Sequence, residues 1–368
     1  MLPNPSILTM IGAFVLLLGP LVVLHELGHY LVGRLFGVRA DAFSVGFGKE
    51  LAGFTDRRGT RWKLSLLPLG GYVQFAGDMN PASVPDPANL EQPEPGTFQA
   101  ARLWQRALIV LAGPVMNLLV AVAIFASFNM IYGKPLAEPL IGEVAAGSAA
   151  QAAGVRPGDR VVAIDGASIT RWDEIAPRIA LYPGRTIRLD LQRAGATLAI
   201  DAKVADVVER DRFGNETHRG LLGIGPADFR YVPVGPVEAA GLGVRQSFAV
   251  MGVMVTGLKQ IVVGDRSVSE LGGPIKIAKF SGEQLALGWP EFVGFAALIS
   301  INLAFINLLP IPALDGGHLA FYAAEAVRRK PLGVRSQEWA FRTGLALVLA
   351  LMLFVTLNDL AGLPIFGR

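Results

Sequence analysis

The sequence predicts a polytopic α-helical membrane protein of four spans, with a β-hairpin and a small α+β domain inserted between spans. Three observations carry this. The 368 residues are 52% hydrophobic and 17% charged, against about 45–50% and about 25% in a soluble domain. The apolar residues gather in runs long enough to cross about 30 Å of hydrocarbon. A polar section over 138–231 separates the runs and reads as a soluble domain.

The spans are expected at 7–35, 107–132, 292–309 and 343–360. The first reads as a retained anchor: it lacks a charged leading region, its apolar run is too long for a cleaved leader, and no small-residue cleavage site follows. A shorter run at 247–258 is closed off by Arg245 and Lys259. About a dozen residues cannot span, so an amphipathic helix lying on the membrane surface is expected there.

Lys and Arg near the spans give the orientation. Arg34, Arg39, Arg57, Arg58, Arg61, Lys63, Arg102 and Arg106 fall between spans one and two, and Arg328, Arg329, Lys330, Arg335 and Arg342 between spans three and four. Both loops should be cytoplasmic, with the middle domain, the surface helix and both termini opposite. A fifth span would break this assignment. The net charge of +3 is set beside apolar runs rather than in a basic stripe interleaved with aromatics, so no nucleic-acid partner is expected. The chain has no cysteine, which excludes disulfides and thiolate ligands and leaves histidine and carboxylate as the donors of any metal site.

The first span carries its polar residues together, as His25-Glu26-Leu27-Gly28-His29. Positions i and i+4 share a helix face, so His25 and His29 can hold one Zn²⁺ while Glu26 reaches a water at the metal. Ionisable groups inside an apolar span cost about 2.5–3.5 kcal/mol each and need a partner such as a metal or a water-filled cavity. The bland alternative is three polar residues marking the membrane boundary. A catalytic zinc takes three protein ligands and keeps one position open. Two further histidines exist: His218, in a charged stretch, and His318, in Asn307-Leu308-Leu309-Pro310-Ile311-Pro312-Ala313-Leu314-Asp315-Gly316-Gly317-His318. Asp315 is the other candidate, placed after two prolines that break the span and before two glycines that let the backbone turn. By itself it could equally cap a helix. Spans one and three run in the same direction, which puts Asp315 on the same side as His25 and His29.

These two segments, together with Gly113-Pro114-Val115-Met116-Asn117 in the second span, resemble the site-2 proteases, and among them the bacterial regulator-of-sigma-E protease group, over nearly the whole chain. The resemblance implies His25, His29 and Asp315 as ligands of one zinc ion and Glu26 as catalytic base, with His318 outside the ligand set. It implies that Asn307 and Asn302 hold the substrate backbone, although Asn302 could equally serve helix packing. The family also has a re-entrant β-loop between the first two spans. Here 42–48, with Gly46 and Gly48, and 61–73, with Gly70 and Gly71, have the look of such a hairpin, whose edge could pair with an unwound substrate. A hairpin with no substrate role is the plainer reading. The polar section resembles a PDZ domain through Gly158-Asp159 and Asp165-Gly166, and Leu271-Gly272-Gly273-Pro274 resembles the family's approach to the third span. The best-known members carry two PDZ domains in tandem, and one clear signature is present here.

The expected order is a first span with HExxH (1–36), a cytoplasmic segment with the β-loop (37–106), a second span (107–132) and a PDZ-like periplasmic domain (138–207). A periplasmic linker with the surface helix (208–288), a third span with the Asp315 motif (289–318), a cytoplasmic loop (319–342) and a fourth span (343–360) complete it. The implied activity is intramembrane zinc proteolysis at the bacterial inner membrane. Its substrates would be single-span membrane proteins already trimmed by an upstream site-1-type protease, such as anti-sigma factors or remnant signal peptides. Rival readings are a membrane metal transporter or sensor, which needs no base beside its ligands, and a non-catalytic PDZ scaffold.

Overall fold

The computed structural model describes residues 5–77, 94–210, 216–228, 230–264, 272–330 and 333–361. In chain order the elements begin with α1 (Ile7–Leu35), β1 (Ala40–Thr55), β2 (Arg61–Phe75) and α2 (Leu103–Tyr132). A β-rich stretch follows: β3 (Lys134–Leu136), β4 (Ile141–Val144), α3 (Ala149–Ala152), β5 (Arg160–Ile164), β6 (Ala167–Ser168), α4 (Ile175–Ala180), β7 (Thr186–Arg193), β8 (Ala196–Lys203), β9 (Ala205–Arg210), β10 (Glu216–Leu221), β11 (Ile224–Pro226) and β12 (Arg230–Val232). Helices close the chain: α5 (Pro236–Val263), α6 (Pro274–Leu287), α7 (Trp289–Leu308), α8 (Asp315–Arg328) and α9 (Val334–Ala361). These form two compact units, 1–124 with 272–359 and 125–271 with 360–368.

In the first unit, α1 starts where Ser6 Oγ accepts the Thr9 N–H, satisfying a donor the helix cannot. Its apolar residues divide by partner. Ala13, Leu17 and Leu21 are buried against α6 and α7 in one core with Phe292 and Ile299. Ile7, Leu8, Ile11 and Leu35 stay exposed, as do Leu347, Leu353, Phe354 and Leu357 on α9. Apolar faces of this extent are stable in lipid and not in water. Beyond His29, Tyr30 packs edge-on to Phe43 and Trp62, whose own rings stack 4.5 Å apart. This aromatic cluster clamps the β-hairpin to the end of α1.

The hairpin folds back on itself. Segment 40–45 pairs antiparallel with 71–75, while 61–65 lies between 42–45 and 50–55. The order across this small sheet is therefore 50–55, 61–65, 40–45, 71–75, and among the described residues Gly71–Phe75 is an edge. The reversal near Gly46 and Gly48 uses positive φ angles of 90° and 89°, which glycine adopts without strain.

Asp359, a buried carboxylate near the end of α9, accepts the backbone N–H groups of Gly273 and Lys276 and lies 3.8 Å from Lys276 Nζ. It thus caps the start of α6 from another helix. Lys279 and Glu283, one turn apart on α6, are both buried with 4.0 Å between their charges.

The second unit holds an α+β module. Its main sheet has the order β6-β5-β7-β8, with β9–β10 as a hairpin and β11 and β12 paired to β4 and β3. A single core joins them, built on Ile141, Val161, Ile187, Leu189, Leu191 and Leu222. Beneath it Asp159, almost fully enclosed, takes two hydrogen bonds from the Arg193 guanidinium at 2.6 and 2.7 Å and one from the Arg156 N–H.

Two features differ from the sequence reading. The helix expected at 247–258 is the 28-residue α5, and among the described residues five helices rather than four are long and apolar enough to cross a membrane. Arg245 and Lys259 do not end α5, since both are good helix formers. Its ends are set by Gly235-Pro236 and by the left-handed Gly264. The α+β module extends past 207 to 232, because β11 and β12 return to its first strands. The third span stops at Leu308, within a residue of the expected 309, and Asp315 opens a separate helix beyond the prolines.

The Arg193 contact holds the Asp159 carboxyl below its ordinary range. A carboxyl depressed in the folded state stabilises it above the unfolded pKa of about 3.9 and loses that contribution as the pH falls through the folded value. Amide protection across β5 in the full-length protein, corrected for intrinsic exchange, should therefore fall below about pH 4. Arg193→Met should lower protection at neutral pH and flatten that acid limb.

Candidate active site

The last three turns of α1 carry His25, Glu26 and His29, and Asp315 is the first residue of α8. What brings the two together is the break after α7. Leu309 precedes Pro310 and is extended, as residues before proline prefer, and Ala313 adopts a left-handed φ of 81°, a strained position for a non-glycine. A Cβ on Gly316 would overlap the Leu308 and Leu309 carbonyls, and one on Gly317 that of Ile311. The two glycines let α8 fold back tightly on the loop that precedes it.

The three donors converge. His25 Nε2 lies 3.2 Å from His29 Nε2 and 3.3 Å from Asp315 Oδ2, and His29 Nε2 lies 3.6 Å from the same oxygen. Ligands about 2.0–2.1 Å from a zinc ion sit about 3.3 Å from one another at the tetrahedral angle. Asp315 Oδ2 is enclosed yet accepts no hydrogen bond, a state that is unfavourable unless a cation takes its lone pair. The donor set, two imidazoles and a carboxylate, suits zinc. The residues present therefore fit the ion.

The second helix supplies the support. His29 Nδ1 lies 2.8 Å from the carbonyl of Ile109; donating there leaves Nε2 with its lone pair toward the metal position. Pro114 has no N–H, so the helical ladder of α2 is broken one turn beyond Ile109. Contact is at backbone distance: a Cβ on Gly28 would meet the Ala112 carbonyl, and one on Gly113 would run into the rings of both histidines.

A cavity of about 300 Å³ opens on these groups, lined by His25, Glu26, His29, Asn307, Asp315, His318 and the edge Gly71–Phe75. That is the lower end of the range for ligand pockets. Val73 lines the cavity with Glu26, and Gly71 sits so close that a Cβ there would touch Glu26 and Val22.

The structure thus gathers His25, Glu26, His29, Asp315, Asn307 and Gly71 in one place. It does not bring Asn302 there; five residues before Asn307, it faces about 140° away around the helix. Gly46, Gly48 and Gly70 also lie off the cavity. Gly46 gives way to the Leu67 carbonyl and Gly70 to the Phe47 ring, so their conformations shape the hairpin. His218 pairs with Asp206 on the β9–β10 hairpin. The sequence reading gave no role to Asn117, buried 3.2 Å from His25 Nδ1. It also missed the Ile109 carbonyl, a backbone group that leaves no trace in side-chain pattern.

Apolar helices around two histidines, a neighbouring glutamate and a facing aspartate define a membrane metallopeptidase. Residues 13–351 match the family described as Peptidase family M50, and the chain belongs to that family, the site-2 proteases. It is 44% identical over 358 residues to "Putative zinc metalloprotease Atu1380" of Agrobacterium fabrum, covering 95% of each chain. It is 45% identical to "Putative zinc metalloprotease R01501" of Rhizobium meliloti, covering 95% of this chain and 96% of that one. With "Metalloprotease MmpA" of Caulobacter vibrioides it shares 35% over 392 residues, 98% of this chain and 97% of that one. The protein is accordingly a membrane-embedded metalloprotease that uses zinc.

Gly113→Val should push the two imidazoles apart and weaken zinc binding by at least about tenfold, the range seen when support around a metal ligand is disturbed. Chelator competition on the purified protein checks this.

Proposed function

We propose that the protein cleaves, inside the bilayer, the spanning segment of single-span membrane proteins already trimmed outside it. The observation that carries this is the set of three converged metal donors with Glu26 beside them, in a cavity at the end of an apolar helix. His25, His29 and Asp315 hold the zinc ion, which when bound supplies a Lewis acid that acidifies water and polarises a carbonyl. Glu26 takes the proton of the attacking water and later delivers it to the leaving amine nitrogen as the C–N bond breaks.

A substrate helix hides its carbonyls in its own hydrogen bonds and must unwind first. The edge Gly71–Phe75 offers free backbone groups beside Glu26, so an unwound segment can add to it as a strand. Asn307, with donor and acceptor on one amide, holds the substrate backbone from the other side. In the α+β module, the hollow between α4 and β10–β11 is only about 70 Å³ and is lined by Trp172, Ile175, Ile179 and Leu221. That is far below the size of a ligand pocket, and it favours a PDZ-like domain that excludes bulky untrimmed proteins over one that captures a peptide. Anti-sigma factors and remnant signal peptides are the substrate classes of this reading, with an upstream protease acting first.

Membrane topology follows from parity. Asp315 meets both histidines, so the far ends of α1 and α7 lie at one level and the two helices run the same way. The chain must then cross an odd number of times between α1 and α7. With α2 as one crossing, α5 adds none, because α6, 14 residues or about 21 Å, is too short to return. We place α5 along the outer surface, the α+β module in the periplasm, and the catalytic end of α1 toward the cytoplasm of a bacterial inner membrane.

The deciding experiment uses purified wild type and Glu26→Gln on a trimmed single-span reporter, with zinc measured on both. The wild type should cut within the span, while Glu26→Gln keeps zinc and slows by at least about 100-fold. Cutting by Glu26→Gln at the wild-type rate, or no cutting of any trimmed reporter by the wild type, overturns the reading.

Topology has a separate test, which the absence of native cysteine makes clean. Single cysteines at Gly235 and Val263 should both react with an impermeant thiol reagent from the outer face, and one at Arg328 should not. Opposite reactivity at Gly235 and Val263 would mean that α5 crosses.

A further inference from the structure

The zinc reading leaves one buried polar side chain without a task. Asn117 is fully enclosed on α2, its amide lies 3.2 Å from His25 Nδ1, and its Oδ1 has no hydrogen-bond partner. We infer that Asn117 is the positioning residue that fixes the tautomer and ring orientation of His25, its side-chain carbonyl accepting the Nδ1–H. The inference rests on His25 being a zinc ligand through Nε2.

The two ring nitrogens cannot play the same part. Nε2 faces the His29 and Asp315 donors at 3.2 and 3.3 Å and must present its lone pair to a cation, so the proton of the neutral ring sits on Nδ1. An N–H enclosed without an acceptor is costly, and the Asn117 amide is the group within reach. With its NH₂ toward Nδ1, two donors would face each other and Oδ1 would stay orphaned. Turned through 180° about the last side-chain bond, the same amide places Oδ1 against Nδ1–H and satisfies both atoms. His29 has the equivalent arrangement with the Ile109 carbonyl. Each zinc-ligating imidazole is thereby set by one acceptor on α2.

Asn117 is itself held. Ser300 Oγ on α7 donates to its backbone carbonyl at 2.7 Å, and Ser300 is fully buried. A chain of hydrogen bonds thus runs from α7 through α2 to the ligand on α1.

The test is zinc affinity of the full-length protein, measured by chelator competition, with thermal unfolding of each metal-free variant as the fold control. Asn117→Leu, similar in size but with no acceptor, should bind zinc about 10–100-fold more weakly. Asn117→Asp keeps the acceptor and should bind zinc as tightly as wild type or tighter. Wild-type affinity in Asn117→Leu, or a loss in Asn117→Asp equal to that in Asn117→Leu, overturns the inference. Asn117→Asp decides the matter alone where Asn117→Leu unfolds. His25→Ala separates the two levels: if it binds zinc as the wild type does, the ligand set falls and this inference with it. If it loses zinc while Asn117→Leu does not, only the role of Asn117 falls.

Discussion

Polar groups inside an apolar bundle are stable only when each finds a partner, and here the partners come from the backbone-to-backbone approach of α1 and α2. Gly28 meets the Ala112 carbonyl and Gly113 meets the histidine rings, so no side chain separates the helices at the level of the site. Only at that distance can Ile109 and Asn117 reach the far nitrogens of the two imidazoles. Small residues at a helix contact in lipid permit close packing; at this contact they also bring two polar groups of α2 beside the imidazole Nδ1 atoms. The loop after α7 depends on the same frame, because Asp315 is useful only where the imidazoles already converge.

The hairpin is the second dependent element. Its attachment is aromatic, through Tyr30, Phe43 and Trp62, and Tyr30 directly follows His29 on α1. The residue that anchors the sheet and a donor of the candidate metal site are therefore neighbours on one helix. This sets the edge Gly71–Phe75 against Glu26 with little freedom to drift.

Much of this was legible in the sequence, for reasons specific to each element. The extent of α1 follows from a long apolar run with a clear start, and the pairing of His25 with His29 from helical periodicity alone. Asp315 stood out as a candidate because proline and glycine punctuate the chain on both sides of it, and the family resemblance, not the spacing, chose it over His318. The length of α5 was not legible: Arg245 and Lys259 read as boundaries, whereas the chain ends the helix with glycine. Nor was α6, in which Lys279 and Glu283 are buried and Lys276 is half-buried. Their partners lie partly on α9, more than 80 positions away, and no local pattern reports such a distance. The role of Asn117 was hidden in the same way, since one asparagine in an apolar span marks a polar contact without naming the helix that receives it.

An unpaired strand edge is ordinarily a hazard, because it offers a template on which copies of a protein can stack into aggregates. The edge at Gly71–Phe75 is half-buried and borders a cavity of about 300 Å³. An unwound segment that added to it, as proposed above, would cover the groups by which two copies of this protein could otherwise adhere.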